Sequence, residues 1–401
     1  MNGNEDLTVT RDEAVALLKK EWTVNRETKW ISLREAAGRV TAKPVFSVNS
    51  MPVCRTSQFD GIAVKSENFI DGVPDTSGWV KGADYAQADT GDDFPDEFDT
   101  IIAVEDIYYD KGGKLCFSDD FVFEKGDGIR KAGTAVEEND LLVDAHTRLT
   151  AVHLPVLALG GIYQLEVIKK PKVVYIPTGS ELINVGIKPE RGQNIEANGL
   201  MVSEFLKQWG AEPSCYPIIK DKPAELEQAL DSALNVADIV LINGGSSKGA
   251  EDFNATLLQR KAAVYRHGIK AIPGKPVAIA IIGGKPVVNL PGPTLATFLA
   301  LDWCVSGLVH HYLGLNMPVR PKMKATLEKA LEKRPDYEMF YRFVLTEKNG
   351  RYYAGPIGRD KSVPYALLKA DAMLIAPIGA SGYAAGEEIE VELLCGLENL
   401  Q

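Results

Sequence analysis

Three short runs in this chain carry groups that could do chemistry. They are Thr178-Gly179-Ser180-Glu181, then Gly244-Gly245-Ser246-Ser247-Lys248-Gly249 followed by Asp252, then Pro291-Gly292-Pro293-Thr294. Each follows an apolar stretch: "KVVYIP", "DIVLIN" and "KPVVNL". Glycines in such loops let bare backbone N–H groups approach an anion. Thr178, Ser247 and Thr294 add hydroxyls, and Lys248 and Lys275 add positive charge. Glu181 and Asp252 offer hard oxygen ligands that suit Mg²⁺ better than zinc. A ligand carrying phosphates and a bound Mg²⁺ would need donors and carboxylates side by side. Each run alone has a plainer meaning: a Gly-Gly pair after a strand is also an ordinary turn, and an Asp at a helix start is also an N-cap. The "GGSSKG" loop matches neither GxxxxGK[ST] nor GxGxxG, and the chain has no HExxH or CxxC. The chemistry therefore depends on the three loops meeting.

Elements that could bring them together are legible around them. From 171 to about 313, strand-like and helix-like segments alternate. "KVVYIPTG", "CYPIIKD", "DIVLINGG" and "KPVVNLPG" read as strands. "NGLMVSEFLKQWG" reads as a helix closed by Gly210, and "PAELEQALDSALNVA" as a helix with Pro223 at its start. "TLATFLALDWCVSGLVHHYL" reads as a long apolar helix, in which His310 and His311 are packing or helix-end residues. Such alternation predicts a parallel sheet covered on both faces, with ligands bound beyond the carboxyl ends of its strands. Upstream, residues 10–42 read as helical, with Thr10 and Glu13 as a capping box and Ser32 before Glu35 as a second capped start. Between 46 and 147, short runs ("TIIAVEDIYY", "KLCFS", "FVFEK", "DLLVDA") separated by Gly/Asp turns predict a small β-rich module. "TAVHLPVLALGGIYQLEVIKK" returns to helix and strand. Beyond Pro318 and Pro321, short strands and an Asn349-Gly350 turn predict a terminal β-domain.

Composition narrows the function. The chain has 401 residues and a formal charge of −11, which argues against nucleic-acid binding through a basic face. From Asp84 to Asp106 there are nine acidic residues and no Lys or Arg, which reads as a solvated surface or a face for a cationic partner. The five cysteines are scattered without zinc spacing, and no apolar run approaches the roughly 20 residues that span a bilayer. The polar N-terminus lacks a signal-peptide pattern, so a cytoplasmic location is expected.

Taken in order, the segments resemble the MoeA/gephyrin E-domain family of molybdopterin molybdenumtransferases over nearly the whole chain. "RDEAVALL" and "LREAAGRVTAKPVFS" look like the family's N-terminal helices. "QFDGIAVKSENF" resembles M-D-G-Y-A-V and places its Asp at Asp60. "ADTGDDFPDEFDTIIAVED" resembles M-T-G-A-x-x-P…D-x-V-V-x-x-E, matching Thr90, Gly91 and Glu105. "YIPTGSEL" resembles S-T-G-D-E-L and gives Glu181. "NIEANGLMVSEFLKQWGAE" resembles the D-x-N-x-x-M-L helix and gives Asn198. "LINGGSSKGAEDF" resembles S-G-G-V-S-x-G-x-x-D-[YF], giving Gly244, Gly245, Ser247, Gly249 and Asp252. "IPGKPVAIA" resembles P-G-K-P, with Lys275 and Pro276.

The resemblance implies a central doubly wound α/β pterin-binding domain (171–317). It also implies an N-terminal helical region (1–45 with 148–170) holding an inserted β-rich domain (46–147), and a C-terminal β-barrel-like domain (318–401). The implied reaction inserts molybdate or tungstate into adenylylated molybdopterin, with Mg²⁺, and releases AMP. Asp60, Glu181 and Asp252 would serve chemistry and metal. Thr90, Thr178, Gly179, Asn198, Gly244, Gly245, Ser247, Lys248, Gly249, Lys275, Pro291 and Gly292 would bind the pterin nucleotide. A homodimer with active sites shared between subunits is also implied, Asp60 acting from the partner. Departures fall in the motifs themselves. The family's R-x-x-G-E-D reads here Arg130-Lys131-Ala132-Gly133-Thr134-Ala135, and its P-G-N-P turn reads Pro291-Gly292-Pro293-Thr294. A molybdopterin carrier without catalysis, or an interaction dimer of the same fold, are the alternatives these departures allow.

Overall fold

The structure, a computed structural model, describes residues 7–244, 253–358 and 363–396. The chain divides into two compact units, 28–168 and the remainder.

Helix α1 (Arg11–Glu21) opens the chain in the larger unit. Thr10 Oγ1 accepts from Glu13 N–H at 3.2 Å and Glu13 Oε2 accepts from Thr10 N–H at 2.8 Å, a reciprocal cap that stabilises the start by about 1 kcal/mol. The helix predicted over 10–42 ends there. Residues 28–32 instead form strand β1 (Thr28–Ser32), and Ser32 caps only a single 3-10 turn, Leu33–Glu35. Long-range pairing won over the local pattern, because β1 lies antiparallel to residues 164–168.

In the smaller unit, β2 (Gly61–Val64) is the central strand between β3 (Tyr85–Ala88) and β4 (Thr100–Ala103). All four residues of β2 are buried, so it reads as a continuous apolar run. The run predicted through 100–109 is interrupted by a 3-10 turn at Val104–Asp106. "FVFEK" forms no strand: Phe121 and Phe123 pack as rings on Phe69, the Phe69–Phe123 pair stacked at 4.1 Å. Helix α2 (His153–Leu159) leads to β5 (Gln164–Ile168), the partner of β1.

The α/β sheet of the larger unit contains β6 (Lys172–Pro177), β7 (Glu212–Cys215), β8 (Ile239–Asn243), β9 (Val264–His267), β10 (Ala278–Ile282) and β11 (Lys285–Leu290). Their order is β7-β6-β8-β11-β10-β9. The first four are parallel, but β10 runs against them, antiparallel to both β11 and β9, which corrects the all-parallel expectation. A tight Gly283-Gly284 turn joins β10 directly to β11, leaving no room for a crossover helix. The predicted strand "CYPIIKD" begins where β7 ends. Pro213 is tolerated in β7 because this strand is the sheet edge.

Helices α4 (Pro223–Val236) and α5 (Phe253–Lys261) cover one face. Helix α3 (Asn198–Trp209), α6 (Thr294–Ala300) and α1 pack on the other. A π-helical turn, Leu301–Val305, joins α6 to α7 (Ser306–Leu313), so the long apolar helix is continuous in path but not in pitch. Gly210 closes α3 at φ 93°, as its position predicts. His310 is buried with Nδ1 2.8 Å from the Ser306 carbonyl oxygen, a packing role.

The C-terminal strands are β12 (Lys322–Leu327), β13 (Glu338–Lys348), β14 (Arg351–Pro356), β15 (Ala372–Ala376) and β16 (Glu388–Leu393). Their pairing runs β13-β14-β12-β16-β15 and returns to β13, a closed five-stranded barrel. Leu327, Phe343, Leu345, Ile389 and Val391 belong to its core. Asn349 and Gly350, both at positive φ, make the β13–β14 hairpin. No described helix is long and apolar enough to cross a membrane.

Candidate active site

The three loops meet because their strands are neighbours. β6, β8 and β11 lie side by side in one direction, with Pro177 opposite Asn243 and Asn243 opposite Leu290. Thr178, Gly244 and Pro291 therefore leave the sheet at one level on its carboxyl rim. Thr178 N–H donates to the Asn243 carbonyl at 2.8 Å and Gly244 N–H to the Leu290 carbonyl at 3.2 Å. Gly244 has φ 114°, and a Cβ there would run into the Thr178 carbonyl. Only glycine lets these two strand ends approach so closely.

A cavity of about 410 Å³ opens between the loops. Thr178, Glu181, Asn198, Gly244, Gly292 and Thr294 line it, as do Glu196 and Asn243. Pro291 lies just below: its carbonyl accepts from Asn243 Nδ2 at 2.7 Å and from Thr297 Oγ1 at 2.6 Å. Asn198 Nδ2 donates to the Gly292 carbonyl at 2.8 Å and to Asn243 Oδ1 at 2.9 Å. The Tyr175 hydroxyl lies 2.9 Å from both Asn243 Oδ1 and Glu196 Oε1. Asn254, at the start of α5, donates from Nδ2 to the Gly244 carbonyl at 2.7 Å. A single buried residue, Asn243, thus holds the Thr178 turn through its backbone carbonyl and the Pro291 turn and α3 through its side-chain amide. Burial, then the charge of Glu196, pushes the Tyr175 phenol far above its ordinary range, so it stays a neutral donor.

The turn bearing Glu181 is clasped from a neighbouring segment. Asp221 Oδ2 accepts from Ser180 N–H at 2.8 Å, and Ser180 Oγ accepts from Asp221 N–H at 3.1 Å. Lys220 Nζ donates to the carbonyls of Ser180 and Leu182 at 3.1 and 2.9 Å. Gly179 has φ 150°, and a Cβ there would lie 2.6 Å from Glu181 Oε2. β10 begins at the same rim, with Ala278 opposite Asn289, but Lys275 just before it is not among the described residues lining the pocket. Its ammonium lies 5.2 Å from the centre of the Tyr337 ring. Gly245, Ser247, Lys248, Gly249 and Asp252 lie outside the described residues.

The smaller unit brings Asp60 and Thr90 together across thirty positions of sequence. Asp60 Oδ1 accepts from Thr90 N–H and from Thr90 Oγ1, both at 2.7 Å. These two bonds, the backbone one foremost, hold the exposed carboxyl below the ordinary aspartate range. A cavity of about 170 Å³ adjoins it, lined also by Lys81, Gln87 and Asp89. Among the described residues, no group of three or more His, Cys, Asp or Glu is placed to hold a metal ion.

Tyr175, Glu196, Asn243, Asn254, Lys220 and Asp221 did not emerge from sequence reading. Two left a trace. Asn243 is the polar end of an otherwise apolar strand run, and Glu196 stands two positions before Asn198 in "NIEAN".

The fold and rim define a multidomain α/β protein with a ligand pocket at the carboxyl ends of adjacent parallel strands. The chain matches three family models in succession. These are the MoeA N-terminal region (domain I and II) over residues 9–161, a probable molybdopterin binding domain over 174–311, and the MoeA C-terminal region (domain IV) over 324–394. It is 25% identical to the molybdopterin molybdenumtransferase of Haemophilus influenzae, over 96% of this chain and 98% of that one. It is 26% identical to the molybdopterin molybdenumtransferase of Bacillus subtilis, over 92% and 90%. The solved molybdopterin biosynthesis MoeA protein of Pyrococcus horikoshii superposes with a TM-score of 0.79 at 25% identity, covering 97% of this chain and all of that one. The chain belongs to the MoeA family.

Proposed function

We propose that this protein inserts molybdate or tungstate into adenylylated molybdopterin during molybdenum cofactor biosynthesis, releasing AMP. The observation that carries this reading is the 410 Å³ pocket formed where three adjacent parallel strands end, in the segment matched by the molybdopterin-binding family model. A pocket of this kind suits a nucleotide-linked heterocycle. Thr178 and the backbone of the Gly179 and Gly244 turns would orient the ligand, and Glu181 would face it. The dithiolene sulfurs displace an oxo ligand of the metal oxyanion, which leaves with the two thiol protons as water, and attack of water on the phosphoanhydride frees AMP.

Magnesium belongs to the reading. Glu181 is a hard oxygen donor that the Lys220–Asp221 clasp holds on the rim. Mg²⁺ is commonly bound by one or two carboxylates together with substrate phosphates, so a single described carboxylate fits it. Bound there, Mg²⁺ would neutralise charge on the phosphate oxygens. Asp60, oriented by its two bonds from Thr90, would position water or metal near the leaving phosphate. The reading also includes a cytoplasmic homodimer with shared active sites, and the four-part domain division stated above.

The test is calorimetry with adenylylated molybdopterin, followed by AMP measurement on adding molybdate and Mg²⁺. Molybdate-dependent AMP release is expected. Binding without release would make the protein a carrier, and no binding would overturn the reading.

A further inference from the structure

The pocket has one chemical bias. Two carboxylates, Glu181 and Glu196, are among its described lining residues, and no Lys, Arg or His is. Glu196 is fixed from behind. Its Oε1 lies 2.9 Å from the Gly199 N–H at the start of α3 and 2.9 Å from the Tyr175 hydroxyl. A Cβ on residue 199 would lie 2.8 Å from Glu196 Oε2 and 3.1 Å from the Tyr175 ring, so glycine makes the room in which this carboxylate sits. Its Oε2 makes no hydrogen bond to a described residue.

A second acceptor on the same lining is also short of a donor. The Asn198 amide is oriented by acceptors on its Nδ2 side, the Gly292 carbonyl and Asn243 Oδ1. Turning it over would set oxygen against oxygen. Among the described residues, Asn198 Oδ1 is buried and has no partner. Buried acceptors are rarely left so unless something else supplies the donor.

We propose that Glu196 selects the ligand's ring by accepting from its exocyclic amino group. The inference rests on the pterin reading of the pocket and adds the residue that distinguishes a pterin from other pteridines. A pterin presents a 2-amino donor beside the N3–H donor. Lumazine, the same bicycle with a carbonyl at position 2, would set an oxygen against the carboxylate. Tyr175 and Gly199 are positioning residues here: they hold Oε1 and so aim Oε2. The anionic end of the ligand then lies away from Glu196, toward the bare backbone of the glycine turns.

The experiment measures how well pterin and lumazine displace bound molybdopterin from the full chain, for wild type, Glu196→Gln and Tyr175→Phe. Thermal unfolding is recorded for each. Wild type is expected to favour pterin over lumazine by roughly tenfold or more. Glu196→Gln should bring that ratio close to unity while remaining folded. Tyr175→Phe should weaken both ligands and keep most of the ratio. An unchanged ratio in Glu196→Gln overturns the inference, including the case where only Mg²⁺ dependence is lost. Equal weakening of both ligands in both variants also overturns it and leaves Glu196 a structural cap. Wild type that binds molybdopterin without telling pterin from lumazine sinks this inference alone. Wild type that binds no molybdopterin sinks the underlying reading with it.

Discussion

The carboxyl rim of the α/β sheet and the Asp60 turn of the smaller unit solve different problems. The rim is tied from beneath by buried amides: Asn243 alone connects β8, the Pro291 turn, Tyr175 and Asn198. Asp60 is exposed, and a single residue, Thr90, makes both hydrogen bonds to its carboxylate. A binding pocket needs fixed geometry, because each loop that must be ordered on binding subtracts from affinity. A carboxylate that acts on a leaving group needs access and the right protonation state instead. The two regions therefore predict opposite phenotypes, affinity and stability at the rim and turnover at Asp60.

The sharpest way to break that contrast is Asp60→Asn. This variant keeps size and most packing but removes the charge. AMP release should fall by about 10²-fold or more. Calorimetric affinity for adenylylated molybdopterin should stay within about twofold of wild type, as expected for a group that acts mainly in the transition state. A loss of affinity that matches the loss of rate would show Asp60 to be a binding residue, and the contrast would fail.

Asn243→Leu tests the other side. The side chain is buried, and its removal leaves the Pro291 carbonyl and Asn198 Nδ2 without their Asn243 partner. Each keeps one other partner, Thr297 Oγ1 and the Gly292 carbonyl, so the cost is that of lost hydrogen bonds, and chemical denaturation should show a loss of about 1–2 kcal/mol. Molybdopterin affinity should drop in the same variant. Unchanged stability would mean that the loops do not depend on this amide.

How far sequence could reach differs between the same two regions. The alternation of elements from 171 to 313, the Gly210 and Asn349-Gly350 turns and the three loop motifs are local signals, and they place the rim. The mixed sheet is missed because Ala278–Ile282 does not read as a strand in the sequence; once it is one, its two-residue Gly283-Gly284 link to β11 allows only an antiparallel pair. The helix expected over 10–42 failed because β1 is defined by a partner more than a hundred residues away. The Asn243 network was invisible for the same reason: its members come from four separate segments, and no spacing rule joins them. Asp60 and Thr90 could be named from motifs, but their direct bond is a product of the antiparallel β2–β3 pairing that only the fold supplies.

Thr90→Val gives the smallest and most specific effect. It removes the Oγ1 donor to Asp60 and keeps the backbone N–H, the larger of the two influences on the carboxyl. With one bond gone, the Asp60 carboxyl moves upward toward its ordinary value of about 3.9. The sign follows from linkage. Both Thr90 bonds favour the carboxylate, so their contribution to folding is complete above the unfolded aspartate range and is lost as pH falls through the lowered folded value. In Thr90→Val the acid limb of the AMP-release profile should therefore shift to higher pH. Rates near neutrality should change little, because Asp60 remains ionised there in both proteins. A profile that scales down uniformly, with no displacement of its acid limb, would mean that Thr90 shapes the turn and leaves the protonation of Asp60 alone.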